Sequence, residues 1–311
     1  MKLNGSFLPV LGLFLWAVAI QSVSAQSWQQ QVDSDIRVTL DDQAHRLHGD
    51  IQITYHNNSP ETLDFVWMHL WPNAYRNGKT AMAKQHYRDG DMFMFYAMSR
   101  DLGGIDSLAF TSAGQTLAWE PHPEHIDIAK VTLPAPLAPG ESVEIATPFR
   151  VDLPSGSISR LGHVGESYQI TQWYPKPAVY DEDGWHPMPY LSQGEFFSEY
   201  GTFDVRITLP SNYTVGATGD FVPGSENNDT ELKRLAQLVE ETEKWVTKEG
   251  WNDATNDFPA SSEDMKTLHF RQSQVHDFAW FADKRYKVLQ GEVTLPGDGR
   301  AVTTWAMFTP E

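Results

Sequence analysis

The chain has 311 residues, a formal net charge of -18 and no cysteine. That length can bury a core without covalent staples, and the absence of cysteine excludes disulfides, thiolate ligands and an N-terminal lipid on Cys. The acidity argues against nucleic acid or an anionic membrane as partner, because a chain without a basic face has no counterions to release.

The first element is a leader. Lys2 supplies a positive start, Phe7 to Ile20 is an apolar run, and Val23-Ser24-Ala25 offers small residues for cleavage. Residues 1–25 are read as a secretory signal peptide cut after Ala25, which places the product in the periplasm or outside the cell. No later stretch approaches membrane-spanning length, so no transmembrane segment is expected after cleavage.

Residues 26–311 are read as one β domain. Ile36–Leu40, Gly49–Tyr55, Leu63–Leu70, Val131–Leu133, Ser142–Ala146, Phe203–Leu209, Leu268–Arg271 and Gly291–Leu295 alternate apolar and polar residues between turn formers. Period two with one wet face predicts antiparallel sheets packed as a β-sandwich-like domain. Two long loops interrupt it, Ala74 to Gly104 and Gly162 to Phe197. One segment has helical spacing instead. From Asp229 to Lys248, Leu232, Leu235, Leu238, Val239, Trp245 and Val246 recur on one face, Asn228 or Asp229 can cap the start, and Gly250 follows the end. An amphipathic helix inserted between strands, apolar stripe on the sheet, is expected.

Enzyme parts are scarce. His45 and His48, three apart at a strand start, face opposite ways. His122 and His125 in the Pro121–His125 loop, with Glu124, make only a weak metal pattern. Asp181-Glu182-Asp183-Gly184 lacks the spaced acids of a calcium loop and reads as a turn, with Gly184 at positive φ. Glu195 and Glu199 could form a carboxylate pair, but their separation in space cannot be read from the chain. There is no H-E-x-x-H, G-x-S-x-G, phosphate loop or dinucleotide fingerprint, so no residue is assigned a catalytic or metal-binding role. Trp173, Tyr174, Tyr180, Trp185, Tyr190, Phe196, Phe197 and Tyr200 crowd one region, as a small core under a loop or as a contact surface.

In this region the chain resembles a known family. Thr171–Lys176, Tyr180–His186, Gly194–Val205 and Val215–Gly219 are similar, in that order, to the N-terminal domain of gluzincin aminopeptidases, the membrane alanyl aminopeptidase family of zinc metallopeptidases. Tyr55–Pro60 through His69–Ala74 looks like the exported bacterial branch, and Val275–Trp280 resembles a late strand of the same domain. The resemblance implies a β domain packed against a thermolysin-like catalytic domain that carries G-x-M-E-N and a zinc-binding H-E-x-x-H. Neither motif occurs here, so zinc is expected in a catalytic domain missing from this chain, which should be inactive alone. It also implies that Thr171 and Gln172 match a loop that holds the substrate's free amino end, making Gln172 the substrate-binding candidate. Tyr174 stands where the family has Glu or Gln, which would remove the amine anchor. The expected function is a non-catalytic domain of an exported zinc peptidase, with its own catalytic domain and a peptide as partners; the alternative is a stand-alone secreted β-sandwich binding module.

Overall fold

A computed structural model describes residues 28–194, 196–247 and 257–309. The leader (residues 1–25) and Glu195 therefore lie outside the described residues. Alternation builds the largest sheet. Along the strand Gln31–Asp41 the side chains of Ile36, Val38 and Leu40 turn inward, and along Arg46–His56 those of Leu47, Ile51, Ile53 and Tyr55 do so. Gly49 interrupts the second series because the Phe149 ring of the neighbouring strand occupies its space, at 2.4 Å from where a Cβ would sit.

That sheet has nine strands. In spatial order they are Asp220–Phe221, Met265–Val275, Gly201–Pro210, Gln31–Asp41, Arg46–His56, Ser142–Asp152, Thr111–Ser112 and Gln115–Thr116, with Gly104–Asp106 also on Ser142–Asp152. Two four-stranded sheets join it: Gly162–Val164, Ser167–Ile170, Trp280–Asp283 and Thr214–Ala217; and Lys176–Pro177, Leu63–His69, Ile128–Leu137 and Trp119–Pro121. Their inward residues, from Ile36 and Tyr55 to Met68, Val131, Trp173 and Trp280, form one continuous core. The fold is mainly β and sandwich-like, as the alternation indicates. One pairing departs from the antiparallel expectation: Gln31–Asp41 runs parallel to Gly201–Pro210, Ser34 opposite Phe203.

The interruptions are ordered. The stretch Ala74 to Gly104 folds into α1 (Ala81–Arg88), whose Thr80 side chain accepts from Ala83 N at 3.2 Å, and the one-turn α2 (Phe93–Tyr96). Gly162 to Phe197 contains the short strands named above and the hairpin Tyr180–Asp181/Gly184–Trp185, where Gly184 takes φ 100 as its turn requires.

The inserted helix α3 (Asn228–Thr247) starts where expected and has a different buried face, while Lys248 and Gly250, expected at its end, lie outside the described residues. Asn228, Glu231, Leu235 and Thr242 are buried, whereas Leu232 and Val246 are exposed. The polar residues go inside because each finds a partner there. Asn228 does not cap; its Nδ2 donates to Val222 O and His269 O, and its Oδ1 accepts from His269 N. Glu231 takes both Arg234 and Lys266, at 2.6 and 2.8 Å. Burial pulls Lys266 down to about 8 in spite of that carboxylate.

Thr242 fixes the last hairpin, Lys287–Thr294 with Ala301–Phe308, by accepting from Val288 N at 3.1 Å. Thr242→Val keeps the shape and leaves that buried N–H unpaired. It should lower stability by about 1–3 kcal/mol in urea unfolding. A change below a few tenths would mean the hairpin is held elsewhere.

Candidate functional site

The site forms where three stretches separated in the chain converge. The first is Thr171–Lys176, entering the strand Lys176–Pro177. Trp173 and Tyr174 are buried, and Trp173 Nε1 donates to Phe278 O at 2.9 Å. The second is the connection between Met265–Val275 and Trp280–Asp283, which carries Asp277; Val275–Trp280, expected as a strand, is this connection, and only its ends are strand residues. The third is the run through Ser198 to Glu199.

Asp277 is the centre. Its Oδ1 accepts from Tyr174 OH at 2.6 Å and from Phe278 N at 2.9 Å, and lies 3.2 Å from Lys176 Nζ. Its Oδ2 accepts from Gln172 Nε2 at 2.7 Å. The ammonium of Lys176 also reaches Ser198 Oγ at 3.3 Å and sits 4.7 Å from the centre of the Trp71 ring. Burial pulls Lys176 below the usual lysine value while Asp277 pushes it back. Burial, helped by the charge of Asp277, holds the Tyr174 hydroxyl well above its ordinary range.

Beside the cluster, His69 is buried and stacked on Trp71, ring centres 4.4 Å apart. Burial and the nearby Lys176 push it down to about 3, so it is a neutral ring at any ordinary pH.

Gln172 carries two marks of a constrained residue. Its φ of 54 lies in the left-handed region, which an L side chain enters at a cost of about 1–2 kcal/mol. Its Oε1 is buried with no partner. That oxygen and Asp277 Oδ2, which takes a single donor in the structure, are a pair of under-used acceptors at one spot. Such a pair suits an N–H donor or an ammonium. The cluster offers no exposed nucleophile, and the bases there that lack a partner, the His69 ring and Glu199 Oε2, are both buried.

The hydroxyl of Tyr174, the residue expected to leave the amine anchor missing, donates to Asp277 Oδ1, whose other oxygen accepts from Gln172. Asp277 and Lys176 were missed as site residues. The available signal was a single acid within Val275–Trp280, flanked by His276 and Phe278.

The other candidates stay apart. His45 sits in a turn at φ 52 and stacks on His163 at 3.7 Å, while His48 is exposed on the following strand. His122 and His125 stack at 5.1 Å. Asp181 accepts from Asp183 N and from His186, closing its hairpin. Glu199 is buried, with one oxygen accepting from Tyr180 N and the other unpartnered, and burial pushes it up to about 7. The aromatic cluster is mostly core: Trp173, Tyr174, Tyr180 and Tyr190 are buried, while Phe197 and Tyr200 are exposed. Among the described residues no group of three His, Asp or Glu is arranged to hold a metal ion, so they do not fit a zinc centre. No helix among them is long and apolar enough to cross a membrane.

No family model matches the chain, and no curated protein does. Among solved structures it is similar to a mutant of an M1 zinc metallopeptidase from Deinococcus radiodurans, at 16% identity and a TM-score of 0.48, over 91% of this chain and 48% of that one. The M1 zinc metallopeptidase from Deinococcus radiodurans gives 16%, 91% and 48% with a TM-score of 0.46. A mutant from the same organism bound to a Tyr-Ser-Ala substrate gives the same four figures. The chain spans about half the length of these structures.

Proposed function

We propose that this chain is the non-catalytic front domain of an exported zinc-dependent peptidase, and that Gln172 with Asp277 holds the free amino end of a peptide. One observation carries the reading. Two stretches that the sequence resemblance singles out, Thr171–Lys176 and Val275–Trp280, lie about a hundred residues apart and meet at one carboxylate. The meeting leaves two acceptor oxygens short of donors, the chemistry that an ammonium supplies. Zinc and the water it activates belong, in this reading, to a catalytic domain outside this chain, and no step of the reaction falls to residues described above.

The expected result in calorimetry is that a short peptide with a free amino end binds, and its acetylated counterpart binds at least about ten-fold more weakly, as for loss of a charged hydrogen bond. Gln172→Ala should remove most of that difference and leave the acetylated peptide unchanged. Equal binding of the two peptides to the unaltered chain would contradict the assignment of Gln172.

A further inference from the structure

The sharpest unexplained surface lies on α2 and its flanks. Phe95 is 63% exposed, Tyr96 76% and Met98 58%, with Met92 and Phe93 exposed beside them. Five large apolar side chains within seven residues are more than scattered surface hydrophobics. The segment is held in place. Met94 is buried beneath it, and Asp91 accepts from Phe93 N at 2.8 Å while bonding His86 at 2.7 Å.

Charge around this tip runs against the rest of the chain. Between Ala74 and Gly104 stand Arg76, Lys79, Lys84, Arg88 and Arg100 against Asp89, Asp91 and Asp101, a local excess of two positive charges on a chain of -18. All five basic residues are exposed. Next in the chain, Ser99 and Arg100 join His45, Arg46, Arg76 and His163 in lining a groove of about 460 Å³, with Asp152 as its one carboxylate. Arg46 uses Nε on Asp152, and Arg76 uses Nε and Nη2 on Asn73 and Ile105 O. The Nη groups of Arg46 and Nη1 of Arg76 remain for a ligand.

We propose that this tip and groove together dock on an anionic phospholipid bilayer. The Met92, Phe93, Phe95, Tyr96 and Met98 side chains enter the headgroup–acyl boundary, and the groove takes a headgroup phosphate. Exposed apolar side chains interspersed with Lys and Arg have the composition of an interfacial anchor. The overall negative charge does not forbid this contact, because beyond a Debye length of about 8 Å the distant acids are screened. Along the Ala74–Gly104 stretch itself the five basic residues outnumber its three acids.

The test is co-sedimentation of the processed chain, starting at Gln26, with vesicles of phosphatidylcholine alone or mixed equally with phosphatidylglycerol. Binding is expected to the mixed vesicles only, and to weaken with added salt. The double variant Phe95→Ser with Tyr96→Ser, and separately Arg100→Glu, should each reduce it about ten-fold or more. These side chains are exposed, so the variants fold, which circular dichroism checks. Failure to sediment with mixed vesicles, equal binding to both vesicle types, or full binding by both variants would overturn the proposal. So would inorganic phosphate raising the melting temperature without any vesicle binding, which would make the groove a site for free phosphate.

Discussion

Asp277→Ala is expected to lower the unfolding free energy by about 3–5 kcal/mol, the range for removing one partner of a buried ion pair. The Lys176 side chain is 5% exposed, and Asp277 is the carboxylate paired with it. Removing that carboxylate leaves an ammonium in a low-dielectric pocket and strips Tyr174 OH and Gln172 Nε2 of their acceptor. The cost comes from the stranded partners more than from the attraction lost. The double variant Lys176→Met with Asp277→Asn should therefore recover much of the stability. Urea unfolding of the two variants decides it: a loss under about 1 kcal/mol in Asp277→Ala would mean that the cluster does not organise this end of the fold.

Glu199→Gln is expected to stabilise the protein in alkaline solution and to change little in acid. Burial raises Glu199 from 4.5 to about 7, against the hydrogen bond it accepts from Tyr180 N. The folded state thus binds a proton that the unfolded chain has released between those two values. Stability from the protonated carboxyl is complete below about pH 4.5 and is lost as pH rises through 7. Above that, the native protein carries a buried carboxylate at a cost of about 3 kcal/mol, which the neutral amide avoids. Denaturation midpoints of variant and native chain should coincide near pH 4 and separate by pH 8. A constant difference across this range would assign the effect to packing instead of charge.

The strands were legible because period-two alternation is local and one face is wet. Ile36–Leu40 and Phe203–Leu209 fall inside the observed strands for that reason. Their parallel pairing was not legible: the partners lie about 170 residues apart, and alternation says which face is buried, not which strand is the neighbour. The start and helical character of α3 followed from its spacing, but the buried face did not. Glu231 and Thr242 are inside because Lys266 and Val288 N meet them there, and those partners are supplied by the tertiary fold.

The site divides in the same way. Gln172 became a candidate only through the family resemblance that the run around it carries. Lys176 did not become one, since lysine is rarely buried unless paired, and its pair sits about a hundred residues onward in a connection that reads like a strand. The basic lip near Arg100 was hidden for a different reason. A whole-chain charge of -18 averages over a segment of opposite sign.

The most direct measurement for the proposed function is to read the genomic sequence downstream of the codon for Glu311. The account predicts that the frame stays open and encodes G-x-M-E-N and H-E-x-x-H, and that the full product cleaves peptides in a zinc-dependent way. A stop codon at that position, with a stable exported product, would contradict it and favour a stand-alone binding module.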